Sequence, residues 1–366
     1  MKIYTLFLFC CISCLFLPSC SQQKEDYNIG AILVLSSKDS AEFSNEHQVL
    51  TGMKVAIDKI NNTGGIRGRK VNLIVRDCKR ESEIARKQAV ELLEYKPIAI
   101  VSIYSHIAQA LTDIAAKNNI THIAALASAE NIVNDAPHSF RYGPWASIEV
   151  KAALPIIYKL NAKKIGLINI DNLYGNSVSN QLAELVHLQG ITTKKVSYQK
   201  INEDLKNKLR QLDDVDLIYF SCFPADMSAL LKTIREVLPG LPIIAPNIAA
   251  SPIFASKPEL DGVYLAAPLI YNSSFPFIVD INKLFTEKTG QKITHYLAIG
   301  YDLINLLTQL ILRSEESPPA LTKELLAGFV YPGLFGDVIN KAGSHEFSFP
   351  LYPARIQNGT IVYQER

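Results

Sequence analysis

The feature that most limits what this chain can become is an alternation of apolar runs of strand length with stretches of helical periodicity, which starts over near the middle. "NIGAILVL" reads as a first strand, and Leu50, Met53, Ile57 and Ile60 then recur on one face of a helix. "VNLIVRD", a helix over residues 85–93, "IAIVSI", a helix over 108–116 and "ITHIAALAS" continue the series. Past "FRYGPW" the pattern restarts with a helix over 152–160, "KIGLINI", a helix over 182–188, "TTKKVSY" and a polar helix near 205–212. It then runs through "DLIYFS", a helix ending at Val237, "PIIAP" and "GVYLAA". Strands that are apolar throughout need cover on both faces, which predicts an α/β fold with parallel sheets flanked by helices. Two such series in 366 residues, more than one core usually holds, predict two similar lobes, although no residues repeat between them.

The C-terminal part departs from this rhythm. Helices near 275–287 and 298–312 are followed by short strand-like pieces, "HEFSFPLY", "ARIQ" and "TIVYQ". A tail that gives helices to one lobe and strands to the other makes the chain cross between them several times.

The first residues, "MKIYTLFLFCCISCLFLPSC", carry one charge at Lys2 and then an apolar stretch that ends at Pro18 and small residues. This is the pattern of a secretory signal, and it is shorter than the ~20 residues that span a bilayer. Cys10, Cys11 and Cys14 lie inside it, so "CISC" is discounted as a redox or metal spacing, and only Cys78 and Cys222 remain for the folded body. With 37 basic and 35 acidic residues the net charge is +2, which leaves no nucleic-acid footprint.

"INNTGGIRGRKVNLIVRD" raises the question of a phosphate cradle. A P-loop ends in Gly-Lys-Ser/Thr, whereas here Val71 follows Lys70. A cradle also runs from strand into helix, and this loop leaves a helix to enter a strand. It therefore reads as a helix C-cap and turn, with Gly64 or Gly65 left-handed. No Gly-x-Ser-x-Gly elbow and no His-Glu-x-x-His occurs, the seven histidines are scattered singly, and the first strand lacks a Gly-x-Gly-x-x-Gly after it. The sequence therefore gives no reason to expect an enzyme, a metal or an organic cofactor.

Taken together, "IGAILVL…TGMKVAIDKINNTGGIRGRKVNLIVRD", "AIVSIYSHIAQALTDIAAKNNITHIAALAS" and "KKIGLINIDNLYGNSV" resemble the leucine/isoleucine/valine-binding branch of the type I periplasmic binding proteins. "LPSC" at residues 17–20 resembles the lipobox of bacterial lipoproteins, which implies lipidation of Cys20. The resemblance implies two doubly wound Rossmann-like lobes joined by three crossovers. It divides the chain into a signal peptide (1–19), a lipidated tether (20–27), a first lobe (28–146 with 268–350) and a second lobe (147–267 with 351–366).

It further implies a monomer held to the envelope by a lipid anchor, which binds a small ligand in the interlobe cleft and hands it to an ABC permease. The matching ligand-binding positions are Ser105 and Ser128, a hydroxyl pair for the ligand carboxylate, with Leu126 beside them. Tyr174 closes from the second lobe, and Phe43 and Phe223 are further aromatic positions. At Ser105 the residues agree independently, because a hydroxyl that opens a helix directly after an apolar strand can face an anion or cap its own helix. One departure stands out: where amino-acid binders of this kind place an acid after a proline to receive the ligand's ammonium, this chain has Asn247 in "IIAPNIAAS", with Asp226 as a substitute acid. That departure leaves open a second reading, a sensor or regulator of the same fold that binds a cell-envelope protein.

Overall fold

The computed structural model describes residues 25–36, 40–272 and 274–364, with side chains undescribed over 40–46. The leader, Cys20 and the side chain of Phe43 lie outside the described residues.

The first series forms a five-stranded, wholly parallel sheet in the order β2-β1-β3-β4-β5. Its strands are β1 (Tyr27–Leu33), β2 (Val71–Asp77), β3 (Ala99–Ile103), β4 (Thr121–Ala125) and β5 (Ser139–Tyr142), with α1 (Ser40–Asn62), α2 (Ser82–Leu93) and α3 (Ser105–Lys117) between them. All residues of β3, β4 and β5 are buried, as cover on both faces requires. The turn from α1 into β2 has no cradle geometry: Gly64, Gly65, Arg67 and Gly68 all have positive φ, and Ile66 bridges back to Arg69.

The second series begins with α4 (Ala146–Lys159) and builds a seven-stranded sheet in the order β15-β14-β10-β9-β8-β6-β7. Its members are β6 (Lys164–Ile170), α5 (Leu173–His187), β7 (Thr192–Tyr198), α6 (Glu203–Leu209), β8 (Leu217–Ser221), α7 (Met227–Val237), β9 (Ile243–Ala245), the one-turn α8 (Pro252–Ala255) and β10 (Tyr264–Ala267). The chain then returns to the first lobe with α9 (Pro276–Thr289), α10 (His295–Arg313) and α11 (Pro318–Leu326). Finally β14 (Tyr352–Gln357) and β15 (Thr360–Tyr363) extend the second sheet in antiparallel fashion. Two lobes are thus linked by three passages of chain, after β5, after β10 and before β14.

The tail holds an element that periodicity did not reveal. β11 (Phe329–Gly333), β12 (Gly336–Asn340) and β13 (Phe347–Ser348) form a small antiparallel sheet. Phe329, Tyr331, Val338 and Phe347 join the first-lobe core, so the strand inside "HEFSFPLY" packs with the first lobe. β11 and β12 are too short and too mixed in polarity to stand out as apolar runs.

α10 is the main prop of the first lobe. A Cβ on Gly52 would lie 2.1 Å from the Leu297 carbonyl oxygen, and one on Gly300 would lie 2.0 Å from that of Val49. Two glycines therefore let the α1 and α10 backbones touch, which fixes the start of α10 against α1.

Candidate functional site

The carboxyl ends of the strands of both sheets converge on one cavity of ≈ 460 Å³. The residues following β2 (Arg80), β3 (Tyr104, Ser105, His106), β4 (Leu126, Ser128) and β5 (Pro144) line it from the first lobe. Those following β6 (Asn172, Leu173, Tyr174), β8 (Cys222, Phe223, Pro224) and β9 (Pro246, Asn247, Ile248) line it from the second. Glu149 of α4 and His295 and Tyr296 of α10 complete the lining. Open α/β sheets leave their ligand crevice at this edge, because strand-to-helix loops and helix N-termini gather there.

Six of the residues expected from sequence meet in this cavity: Ser105, Leu126, Ser128, Tyr174, Phe223 and Asn247. The seventh, Phe43, lies on α1, with its side chain outside the described residues. Ser105 is the first residue of α3 rather than its cap. Tyr104 occupies the cap position without a capping side chain, and the Ser105 hydroxyl accepts the Ala129 N–H at 3.1 Å. That bond ties α3 to the loop after β4, where the Ser128 hydroxyl donates to the Pro144 carbonyl at 3.3 Å. Tyr104 and Leu126 hold positive φ values of 69° and 51°. For non-glycine residues such a backbone costs about 1–3 kcal/mol and persists where surrounding structure enforces it.

Arg141 supplies part of that enforcement. Fully buried, it donates to the Ala127 and Ala129 carbonyls, pairs with Glu346 and lies 4.8 Å from the Trp145 ring. The loop bearing Ser128 is thus held from beneath by a residue whose counter-ion comes from the C-terminal tail. Arg80 spans the cleft, with its guanidinium 5.3 Å from the ring of Tyr104 in one lobe and 5.4 Å from that of Phe223 in the other. The lobes also touch where the Glu130 N–H donates to the Ser177 hydroxyl at 2.9 Å.

The acid of the site is a residue that the sequence reading missed. Asp226 is not among the lining residues and instead faces the Tyr198 hydroxyl. Glu149, only 2 % exposed, accepts the Asn247 backbone N–H at 2.8 Å and its Nδ2 at 3.0 Å. Burial pushes the Glu149 carboxyl up to about 7, against the two Asn247 bonds that favour ionisation. A signal was present in "ASIEVKAAL": Ala146, Glu149, Val150, Ala153 and Ile157 share one buried helical face, so a carboxylate stands in an apolar stripe.

His295 opens α10 at the cavity wall, buried, with Nδ1 unpartnered. Burial pushes its imidazole down to about 4, so it is neutral at pH 7. Cys78 and Cys222 are free and buried, and burial raises both thiols, which makes them inert rather than nucleophilic. Among the described residues no cluster of potential metal ligands occurs, and no helix is long and apolar enough to cross a membrane.

A family profile described as periplasmic binding protein matches residues 26–360. Among solved structures, the solute binding protein of an ABC transporter from Rhodopseudomonas palustris BisB5, in complex with 3,4-dihydroxybenzoic acid, superposes with a TM-score of 0.80 at 16% identity. The match covers 94% of this chain and 97% of that one. A leucine binding protein from Thermotoga maritima MSB8 gives 0.80 at 18%, covering 93% and 98%. A branched-chain amino acid transporter substrate binding protein from Streptococcus pneumoniae, in complex with isoleucine, gives 0.77 at 17%, covering 92% and 98%. Among curated protein sequences no match is found.

Proposed function

Because the chain belongs to the periplasmic binding protein family, we propose that it is an extracytoplasmic solute-binding lipoprotein that captures an amino acid or related small carboxylate and delivers it to an ABC permease. Its fold is that of binding proteins, not of enzymes. The observation that carries the reading is the cavity itself, enclosed by the strand ends of two lobes and lined mainly by apolar side chains with a few convergent polar groups.

In this reading the Ser105 hydroxyl donates to the ligand carboxylate at the N-terminus of α3, where unpaired N–H groups add to the attraction, and the Ser128 hydroxyl turns from the Pro144 carbonyl to join it. Leu126 and Phe223 form apolar walls, Tyr174 closes from the second lobe, and Phe43 lies on the element beside the first-lobe wall. A ligand that touches both lobes stabilises the shut form by its differential contacts, and a permease reads that form. Acylation of Cys20 holds the protein at the bacterial envelope, with more than one chain giving a lasting anchor.

The test is a thermal-shift series with common amino acids, their amides and small carboxylates on protein stripped of ligand by unfolding and refolding. At a hundred times its dissociation constant a true ligand adds about 2.7 kcal/mol. A flat response across the series removes the transport reading.

A further inference from the structure

We propose that Glu149 is the counter-ion for a ligand ammonium, so that the cavity selects amine-bearing carboxylates over amine-free ones, with Asn247 as the residue that orients Glu149. The inference rests on the solute-binding reading and narrows its ligand class. Asn247 stands where an acid was expected, and the structure puts a carboxylate within hydrogen-bond reach of that same side chain, delivered by α4.

Three observations lead there. Glu149 lines the cavity, yet among the described residues no lysine or arginine pairs with it, and its only hydrogen-bond partner is Asn247. An ionised carboxylate has about four acceptor sites, so two remain for a third donor. The groups around it are Tyr174 of α5, Tyr219 of β8 and Cys222 after β8, each of whose own pKa is raised in part by the Glu149 charge. None of them is a cation. A buried carboxyl in such surroundings is costly unless a positive charge arrives from outside. An ammonium supplies both the charge and the missing donors. A ligand such as 3,4-dihydroxybenzoic acid, bound by one structural neighbour, has no amine to offer, whereas isoleucine, bound by another, does.

The proton balance follows. Without ligand at pH 7 the Glu149 carboxyl is partly protonated. When an ammonium docks against it, the carboxyl ionises and its proton passes to solvent, while the ammonium keeps its own.

Titration calorimetry on the refolded full chain tests this, with common L-amino acids each set beside its deaminated carboxylic acid, and with benzoate. The amine-bearing member of a binding pair is expected to bind at least ~30-fold more tightly than its partner, since the acid leaves a buried carboxyl without a counter-charge. Repeating the titration in buffers of different ionisation enthalpy is expected to show net proton release on binding at pH 7 that shrinks as the pH is raised. Glu149→Gln is expected to weaken the amine ligand at least tenfold, to abolish the proton release and to spare the deaminated acid. Equal binding of both members of a pair, or an unchanged amine affinity in Glu149→Gln, overturns the inference and leaves the solute-binding reading standing. Binding by neither member overturns both. Should Glu149→Gln not fold, the pair ratio and proton count on the unaltered protein decide the matter alone.

Discussion

Asn247 donates to both oxygens of Glu149, through its backbone N–H at 2.8 Å and its Nδ2 at 3.0 Å. The pair joins the turn after β9 to α4 and is itself buried, with Asn247 8 % and Glu149 2 % exposed. A hydrogen bond to a charged group contributes about 1.5–3 kcal/mol and a neutral one about 1. Replacing Asn247 by alanine keeps the N–H and removes Nδ2, so the loss depends on whether Glu149 is ionised. Urea unfolding of Asn247→Ala against the unaltered protein should show a larger loss at pH 8 than at pH 5.5. Equal losses would mean that the carboxyl does not change charge between those values.

The same carboxyl makes stability fall as pH rises. Its folded value is about 7 against 4.5 for an ordinary glutamate, so between these the folded state holds the proton that the unfolded state has lost. The stabilisation is fully present below pH 4.5, declines as pH climbs and is gone above pH 7, an effect of about 3 kcal/mol at full extent. Asp302, also raised to about 7 by burial, acts in the same direction. His122 and His295, both held near 4, act oppositely, adding stability as pH rises from 4 to 6.5. The difference between Glu149→Gln and the unaltered protein isolates one group from the four. In ligand-free protein that difference should move in favour of the variant from pH 4.5 to pH 8, and a difference constant with pH would refute the assignment.

Much of this site was legible in the chain because its residues sit next to strong signals. Ser105, Ser128, Tyr174 and Asn247 each come within four residues of the end of an apolar strand, and the ends of strands are where an α/β sheet must present its loops. Glu149 and Arg141 were not legible in the same way. Each lies inside a regular element, where a charge normally marks the solvent side, and only a partner distant in sequence, Asn247 for Glu149 and Glu346 for Arg141, shows why it is buried. β11 and β12 escaped for a different reason, since strands of five residues with alternating exposure carry too little periodicity to separate from a loop.

The contact between α1 and α10 gives a prediction about the scaffold. In Gly300→Ala the new methyl would sit 2.0 Å from the Val49 carbonyl oxygen, so the helices must separate along a fully packed seam. Overpacking of this kind costs about 1–3 kcal/mol and more where backbone is the obstacle. Gly290→Ala is the natural control, because that residue ends α9 with φ +70° and nothing within 4 Å, leaving only the left-handed penalty of about 1 kcal/mol. Chemical unfolding should rank Gly300→Ala well below Gly290→Ala, and the reverse order would show that the helices do not approach as described.

The two serines are expected to differ in a way that separates binding from architecture. Ser128 donates to the Pro144 carbonyl at a long 3.3 Å, so Ser128→Ala removes a weak hydrogen bond at small cost to the fold. Ser105 accepts the buried Ala129 N–H, so Ser105→Ala orphans a donor and should lower stability by about 1–3 kcal/mol. If both hydroxyls meet the ligand carboxylate, each substitution removes a charge-assisted hydrogen bond and lowers affinity by about 10- to 100-fold. Calorimetry and urea unfolding on the same samples should therefore show two similar losses of affinity beside two unequal losses of stability. Affinity losses that simply track stability would place the serines in the framework and take the carboxylate away from them.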